Sequence, residues 1–246
     1  MPRGWRTGAP FAALFALLAL MLGGGAAALL ARAPVPAPAA KVNWVAHVEI
    51  TPQGGYRMGN PAAPQKLIEY GSRTCPTCKQ FDQDSRDEIA KRVATGKFSY
   101  EFRDFPVHGG IDFAPIVLGR CVPPSRYFAM LHAMFDMQDD VWAKMNAIPQ
   151  AQIDALGRDA RKISLFLGRK LGYVALAAKF GIPAAKAEAC LSNPAALQAV
   201  LTRAQAAETK EGVHSTPTLI LNGQRLSAVY WSGVEAVLAL SDKPGG

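Results

Sequence analysis

The sequence predicts an α/β domain that is interrupted by an all-helical insertion and preceded by an N-terminal export segment. Strand and helix patterns alternate early and late in the chain, whereas a stretch of about one hundred residues between them shows helical patterns alone. The chain has 246 residues, of which 50% are hydrophobic and 19% are charged, so it is long enough to bury a substantial core. This composition excludes a disordered protein, and four cysteines are too few for a disulfide-dense small scaffold.

Net charge argues against a nucleic-acid-binding protein. The formal charge is +8, but Arg3, Arg6 and Arg32 lie in the first forty residues, which contain no acid. Without these three the excess is +5, and no long run of Lys or Arg remains. We therefore expect no nucleic-acid partner.

Residues 1–33 have the pattern of a signal peptide or membrane anchor. Arg3 and Arg6 precede an uncharged stretch over residues 10–31, whose apolar core has the length of a signal-peptide hydrophobic region. If this stretch is not cleaved, its length of about 22 residues just suffices to span a bilayer. Residues 34–42 are predicted to be a Pro/Ala-rich linker. The alternative is a buried helix of the fold, but we expect a signal or anchor and an exported domain.

Residues 43–105 are predicted to form the first part of the α/β scaffold. Gly96 interrupts a polar helical pattern, and the aromatic and polar residues that follow it alternate as in a strand. The predicted elements are a short strand over 43–50, turns near Pro52 and Gly59, a buried strand over 66–70, a helix ending near Ala94 and a strand over 98–102.

Residues 106–210 are predicted to be a helical insert, because they contain no convincing strand pattern. Proline and glycine residues mark the expected helix boundaries at Pro123–Pro124, Pro149, Gly157, Gly181–Pro183 and Asn193–Pro194.

Residues 211–246 are predicted to complete the scaffold. Asn222–Gly223 is a strong signal for a two-residue hairpin turn, and short apolar runs flank it. The predicted elements are a strand over 218–221, a returning strand over 226–230 and a closing helix over 233–240.

The motif Cys75-Pro76-Thr77-Cys78 follows a predicted strand and opens a predicted helix. The free N–H groups and the dipole of a helix N-terminus favour a thiolate at Cys75. Pro76 at the first helical position loses no hydrogen bond. Two intervening residues let the second sulfur reach the first, so the pair suits disulfide exchange. We expect Cys75 to be the exposed reactive sulfur and Cys78 the buried resolving one.

Three other interpretations of the motif compete with redox chemistry. A zinc site requires a second Cys pair or suitably spaced His residues, whereas Cys121 and Cys190 stand alone. Covalent haem attachment requires His where Lys79 lies. A purely structural disulfide is the third alternative. We favour the redox interpretation, which requires no metal and no organic cofactor.

The chain resembles the DsbA-like branch of the thioredoxin superfamily over about residues 45–241. The resemblance depends on residues 69–81 (EYGSRTCPTCKQF), on residues 213–223 (VHSTPTLILNG) and on the size of the helical insert. It implies a thioredoxin fold with an inserted helical subdomain.

The resemblance also implies roles for residues outside the Cys pair. Thr216 and Pro217 correspond to a cis-proline segment that faces the cysteines and binds extended substrate peptide. Without the resemblance, a Thr-Pro bond is usually an ordinary trans turn. Glu69 corresponds to a buried acid that moves protons at the resolving cysteine, and the alternative is a strand-edge carboxylate facing water.

Thr77 departs from the family pattern, because the most oxidising members have histidine there. Losing that imidazole removes one group that stabilises the Cys75 thiolate. We therefore expect Pro76, Thr77 and Glu69 to tune the active site, and the direction of electron transfer is left open.

Cys121 and Cys190 are predicted to form a structural disulfide within the helical insert. Two leftover cysteines in one subdomain most simply pair in an oxidising compartment. Some members of the resembled family have a second disulfide in this region. The alternative is a pair of buried free thiols.

The sequence thus predicts a periplasmic thiol–disulfide oxidoreductase, acting as a disulfide donor to exported proteins with cysteine thiols. The resemblance implies a DsbB-type membrane partner that reoxidises it. One alternative is a periplasmic reductase or isomerase. Another is a non-catalytic chaperone that uses a methionine-rich groove around Met130, Met134 and Met137, although a plain core face is the preferred interpretation of these residues.

Overall fold

The computed structural model describes residues 42–241. The predicted signal peptide or anchor over 1–33, and all but the last residue of the predicted linker over 34–42, lie outside the described residues. Within residues 42–241, no helix combines the length and the apolar character needed to cross a membrane.

The strands of the described residues form one mixed, six-stranded sheet. They are β1 (Val48–Ile50), β2 (Tyr56–Gly59), β3 (Gln65–Gly71), β4 (Phe98–Asp104), β5 (Thr218–Leu221) and β6 (Gln224–Arg225). Their order is β1-β2-β4-β3-β5-β6, and only β3 and β4 run parallel. The loop that follows β3 therefore leaves the middle of the sheet.

Most of the helices lie between β4 and β5, where the sequence predicts a helical insert. Helix α1 (Pro76–Ala94) lies between β3 and β4, and α10 (Trp231–Ser241) follows β6. The helices between β4 and β5 are α2 (Gly110–Gly119), α3 (Tyr127–Asp136), α4 (Gln138–Asn146), α5 (Gln150–Asp154), α6 (Ala160–Lys170), α7 (Tyr173–Lys179), α8 (Ala184–Leu191) and α9 (Pro194–Glu211). Several predicted boundaries act as helix starts: Pro149 and Pro183 directly precede α5 and α8, and the Asn193 side chain accepts hydrogen bonds at the start of α9.

The helices bury two main cores. In the first, α1, α3 and α10 pack on one face of the sheet, with Phe81 and Leu67 among the buried side chains. The second lies within the insert and is built mainly from α2, α6, α7 and α8, with buried side chains from α3, α4 and α9. A smaller cluster on the other face of the sheet joins Tyr70 to Ala207 of α9. The first core surrounds the Cys75–Cys78 motif.

Two strand predictions near the N-terminus of the domain were wrong in detail. The expected strand over 43–50 is split, because the Asn43 side chain accepts a hydrogen bond from the Ala46 N–H and starts a short 3-10 helix over Trp44–Ala46. Only Val48–Ile50 forms a strand. β2 was missed among the turn signals, although Tyr56 and Met58 alternate toward the core.

The end of the domain also differs from the prediction. Asn222 and Gly223, with φ of 50° and 81°, form the expected hairpin turn. The returning strand is not residues 226–230 but only Gln224–Arg225, since the chain leaves the sheet after Leu226. The last helix, α10, begins at Trp231, two residues earlier than predicted.

The methionine-rich face of α3 belongs to the core. Met130 and Met134 are both 0% exposed, and they pack in the core of the insert. They therefore form no open groove, and the groove on which the chaperone alternative depended is absent at these two residues.

Arg73 joins the sheet to the helical insert. It lies in the loop after β3, is 0% exposed, and forms an ion pair with Asp104 at the end of β4, at 2.6 Å. Its guanidinium also donates hydrogen bonds to the Pro115 carbonyl in α2, at 3.1 Å, and to the Tyr127 hydroxyl in α3, at 2.9 Å. It lies over the rings of Phe102 and Tyr127. One buried cation, two residues after the end of β3, thus contacts β4 and two helices of the insert.

The insert contains the predicted disulfide between Cys121 and Cys190, with an S–S distance of 2.14 Å. Cys121 follows α2 and Cys190 lies in α8, so the bond links two helices of the second core. The two residues are 69 positions apart, which makes the closed loop long.

Removing the bridge should destabilise the protein. We expect the double variant Cys121→Ala/Cys190→Ala to lose about 4 kcal/mol of unfolding free energy, because a loop of this length is constrained in the unfolded chain. Urea unfolding of both proteins without reductant measures the difference. The difference should vanish in excess dithiothreitol, since both proteins then lack the crosslink; a difference that persists would mean that lost packing, not the bond, is responsible.

Breaking the Arg73–Asp104 pair should lower the free energy of unfolding by about 3 kcal/mol. This is the lower part of the range for buried pairs, because Asp104 keeps a second cationic partner, Arg120, at 3.3 Å. The variant Arg73→Met is measured by urea unfolding. Its control is Arg169→Met, which removes the ion pair between Arg169 and Glu188. The side chains of Arg169 and Glu188 are 54% and 32% exposed, respectively. Solvent screens that pair, so the control should unfold almost as the parent does. Equal effects of the two substitutions would contradict a central role for Arg73.

Candidate active site

The Cys75–Cys78 motif opens helix α1 at the end of the central strand β3. Cys75 is the N-cap of the helix and Pro76 is its first residue. The Lys79 N–H donates to the Cys75 carbonyl at 3.1 Å, which begins the helical hydrogen bonds. Both cysteines are free thiols in the structure. The helix N-terminus therefore points its unpaired N–H groups at Cys75, as the sequence predicts.

Cys75 is less exposed than expected. Its exposed fraction is 7%, against 0% for Cys78. The prediction of an exposed sulfur was wrong because the segment around Thr216 covers it: the Cys75 Sγ lies 3.4 Å from the Thr216 carbonyl oxygen. Cys75 remains the more accessible of the two thiols.

The Thr216–Pro217 peptide bond is cis. Thr216 is half-buried beside Cys75, and Pro217 is buried at the start of β5. Because β5 pairs with β3, the register of the sheet brings this segment to the cysteines from 141 residues away. Thr216 and Pro217 thus lie where the sequence resemblance implies.

The two thiols have opposite acidities. The pKa of Cys75 is lowered to about 5, chiefly by a hydrogen bond from the Cys78 thiol. Hydrogen bonds from the Thr216 side chain and from the backbone N–H groups of Cys78 and Thr77 lower it as well, whereas burial acts in the opposite direction and raises it. Burial raises the pKa of Cys78 well above its usual value, and the neighbouring Cys75 and Glu69 raise it further. Cys75 is therefore a thiolate at neutral pH, and Cys78 holds its proton.

Glu69 is a buried acid beneath the cysteines. It is 0% exposed on β3, where it faces Phe102 of β4 and Leu219 of β5 in the register. The alternative of a carboxylate facing water at a strand edge is therefore wrong. Burial raises the pKa of Glu69 to about 8, although a hydrogen bond from the Tyr100 hydroxyl opposes this. Glu69 can thus carry a proton near neutral pH, and it interacts with Cys78.

Helix α4 of the insert holds the loop that leads to Cys75. The Gln138 side chain, 1% exposed, donates to the carbonyls of Arg73 and Cys75, both at 3.0 Å. The Trp142 indole N–H donates to the Thr74 carbonyl between them, at 3.0 Å. Three consecutive backbone carbonyls are thereby satisfied, which a buried loop requires.

A polar network holds the same loop from the other side. The hydroxyls of Ser72 and Thr74 each donate to one oxygen of Asp112, both at 2.7 Å. The other oxygen accepts from the N–H groups of Val107 and His108, both at 2.7 Å. The His108 ring also meets the Thr74 hydroxyl, at 2.8 Å. Sequence reasoning gave none of these residues a role in supporting the loop, because their contacts with the loop join positions 34 to 68 apart.

Among residues 42–241, no group of three or more His, Cys, Asp or Glu side chains is placed to hold a metal ion. His214 is exposed and lies 3.8 Å from Glu208 of α9, and no contact with either cysteine is found for it among the described residues.

Comparison with known proteins fits this geometry. The thioredoxin family profile matches residues 51–239. The chain belongs to the thioredoxin family. The match spans both parts of the scaffold and the helical insert between them.

Solved structures show the same thioredoxin-family fold. The protein-disulfide isomerase of Novosphingobium aromaticivorans superposes with a TM-score of 0.70 at 26% identity, over 76% of this chain and 97% of that one. The alpha-DsbA1 of Wolbachia pipientis superposes with a TM-score of 0.57 at 19% identity, over 76% and 89%. The fold is therefore of the DsbA-like type that the sequence resembles.

Curated relatives match over a shorter region. A protein of Rickettsia conorii named "Putative protein-disulfide oxidoreductase" is 32% identical over 90 residues, which are 36% of this chain and 32% of that protein. The chain thus matches about a third of the length of the curated relatives.

The acidity of Cys75 can be measured directly. Thiolate absorbance of the reduced protein should titrate with a midpoint near pH 5, and the transition should be absent in Cys75→Ser. Since the pKa of Cys75 is lower folded than unfolded, its thiolate stabilises the reduced fold fully above the unfolded pKa and no longer does so once the pH falls through about 5. A midpoint at the ordinary thiol value would contradict the proposed electrostatics.

Proposed function

We propose that this protein is a periplasmic thiol–disulfide oxidoreductase that donates the Cys75–Cys78 disulfide to exported proteins. The observation that carries the proposal is the pairing of an acidic, partly accessible thiol at a helix N-terminus with a buried, proton-holding thiol one turn later. This asymmetry suits one sulfur to exchange with a client and the other to remain internal.

The first chemical step opens the enzyme disulfide. A client thiolate attacks the Sγ of Cys75, the Cys75–Cys78 bond breaks, and a mixed disulfide forms between the client and Cys75. Cys78 leaves as a thiolate with the electron pair of the broken bond. Glu69, whose pKa is raised to about 8 by burial, supplies the proton that Cys78 takes up.

The second step releases the client. Its second thiolate attacks the client sulfur of the mixed disulfide, and Cys75 leaves as a thiolate. The lowered pKa of Cys75 makes it a good leaving group. The client gains one disulfide, and the enzyme is left with two reduced cysteines, two electrons richer.

The cis segment provides the surface for the client chain. Thr216 borders the reactive sulfur, so an extended client peptide that pairs with this backbone brings its own cysteine to Cys75. Reoxidation requires a membrane partner of the DsbB type, as the family resemblance implies.

The direction of transfer follows from thiolate stability. A stabilised Cys75 thiolate favours the reduced enzyme and therefore makes its disulfide a stronger oxidant. Thr77 supplies no imidazole, but its backbone N–H contributes to lowering the pKa of Cys75. The Cys121–Cys190 disulfide also supports an oxidising compartment, and the pattern of residues 1–33 supports export.

Isomerase activity is the second candidate, because the Novosphingobium structure carries that name at 26% identity. An isomerase acts from the reduced state, in which the Cys75 thiolate attacks a wrong client disulfide. The same site geometry serves both activities, so assays of client oxidation and of disulfide rearrangement separate them.

Equilibration in glutathione buffers measures the reduction potential of the Cys75/Cys78 pair. We expect a value well above the roughly −270 mV of thioredoxin and closer to the roughly −120 mV of DsbA. Oxidation of a reduced test protein should be lost in Cys75→Ser. The double variant Cys121→Ala/Cys190→Ala, if folded, is the matched control and should keep the potential. Rearrangement of a scrambled test protein by the reduced enzyme, without net oxidation of a reduced one, would favour the isomerase. Failure of Cys75 and Cys78 to titrate would overturn both activities.

A further inference from the structure

A basic pocket lies between the turn that joins β1 to β2 and helix α9. Its volume is about 450 Å³, and Gly54, Arg103, Arg120, Arg203, Lys210 and Glu211 are among its lining residues. Neither cysteine of the motif lines it, nor do Glu69, Thr216 or Pro217. The proposed redox chemistry therefore leaves this pocket without a role.

Positive charge exceeds negative charge in the pocket. Its lining contains four cationic side chains, Arg103, Arg120, Arg203 and Lys210, against two carboxylates. Both carboxylates are already paired: Glu211 lies 3.1 Å from Arg103, and Asp104 lies 2.6 Å from the buried Arg73 and 3.3 Å from Arg120. The lining carries an excess of two positive charges.

Two of the arginines are held rigidly. Arg120 donates to the Gly54 carbonyl at 2.8 Å and lies over the Tyr56 ring at 5.0 Å. Arg103 donates to the Tyr70 hydroxyl and to Glu101, both at 2.6 Å. Because these side chains are fixed, the cations do not separate to relieve their repulsion.

Arg203 forms no ion pair within 4 Å among residues 42–241, although its side chain is half-buried and Asp104 attracts it only from a distance. Burial lowers the pKa of Arg203, and the neighbouring Arg120 guanidinium lowers it further. Lys210, about two helical turns further along α9, is exposed and has no ion-pair partner among the described residues. Partial burial of a cation without an ion-pair partner is costly, and a bound anion would reduce that cost.

The turn is shaped to leave space for Arg203. Gly54 has φ of 80°, and a Cβ at this position would lie 2.7 Å from the Arg203 Cδ. The backbone of the turn therefore lies against the arginine side chain, and its carbonyl orients Arg120.

We propose that this pocket binds a small dianion, either inorganic phosphate or the phosphate group of a small molecule. Two excess positive charges match a dianion, and guanidinium groups bind phosphate oxygens through paired hydrogen bonds. The volume is larger than a bare phosphate requires, so it also accommodates a small molecule that carries the phosphate.

Titration calorimetry on the full chain tests the proposal, with inorganic phosphate in one arm and glycerol phosphate in the other. Sodium chloride holds the ionic strength constant. We expect saturable binding of one phosphate per chain, and tighter binding of glycerol phosphate would identify a phosphate ester as the preferred source. Absence of saturable binding in both arms would overturn the proposal.

Variants locate the binding site. Arg203→Ala should weaken binding at least tenfold and Lys210→Ala more modestly, while Arg203→Glu should abolish it. Arg158→Ala is the matched control, because it removes an exposed cation that does not line the pocket, and it should bind as the parent does. Equal affinity of Arg203→Ala and Arg158→Ala would overturn the site.

Stability without ligand provides an independent readout. Arg203→Ala breaks no ion pair and removes a repulsion from Arg120 that is larger than the attraction of Asp104, so its melting temperature should not fall below that of the parent. Phosphate should raise the melting temperature of the parent and of Arg158→Ala, and leave that of Arg203→Ala unchanged. Cys75→Ser should respond as the parent does, so a failure of the redox proposal leaves this test intact.

Discussion

The buried ion pair of Arg73 and Asp104 is the constraint on which the rest of the structure depends. An unpaired guanidinium in the core would be prohibitively costly, so the loop after β3 must bring Arg73 to the end of β4 and to helices α2 and α3. Once this loop is fixed, Cys75 can occupy only the N-cap of α1, two residues later. The position of the reactive sulfur is thus tied to the joint between the sheet and the insert.

The helical insert is part of the active site as well as an addition to the scaffold. Gln138 and Trp142 of α4 satisfy the carbonyls of the three residues that lead into the helix. Asp112, at the start of α2, collects four hydrogen bonds from the same region. These contacts hold the N–H groups at the start of α1 toward Cys75, so the acidity of that thiol depends on residues far away in the sequence.

Opposite environments give two chemically identical side chains different roles. Cys75 has hydrogen-bond donors around its sulfur, whereas Cys78 is fully buried above Glu69. Burial acts on Glu69 as well, so the acid and the internal thiol both favour their protonated forms near neutral pH. A proton that passes from Glu69 to the Cys78 thiolate moves the negative charge onto the Glu69 carboxylate, which accepts a hydrogen bond from the Tyr100 hydroxyl.

Local patterns in the sequence determined the Cys-Pro-Thr-Cys helix start, the buried strand before it, the Asn222–Gly223 turn and the helical character of the insert. They could do so because capping residues, proline and side-chain periodicity act over only a few residues. The same patterns misplaced the strand over 43–50 and the returning strand, where a side-chain cap and the edge of the sheet decide the ends of the elements. The family resemblance implied that Thr216 faces Cys75 and that Glu69 is buried near Cys78, but no local pattern did, and only the tertiary structure paired Arg73 with Asp104. Those contacts depend on strand register and burial, which join residues that no local pattern relates.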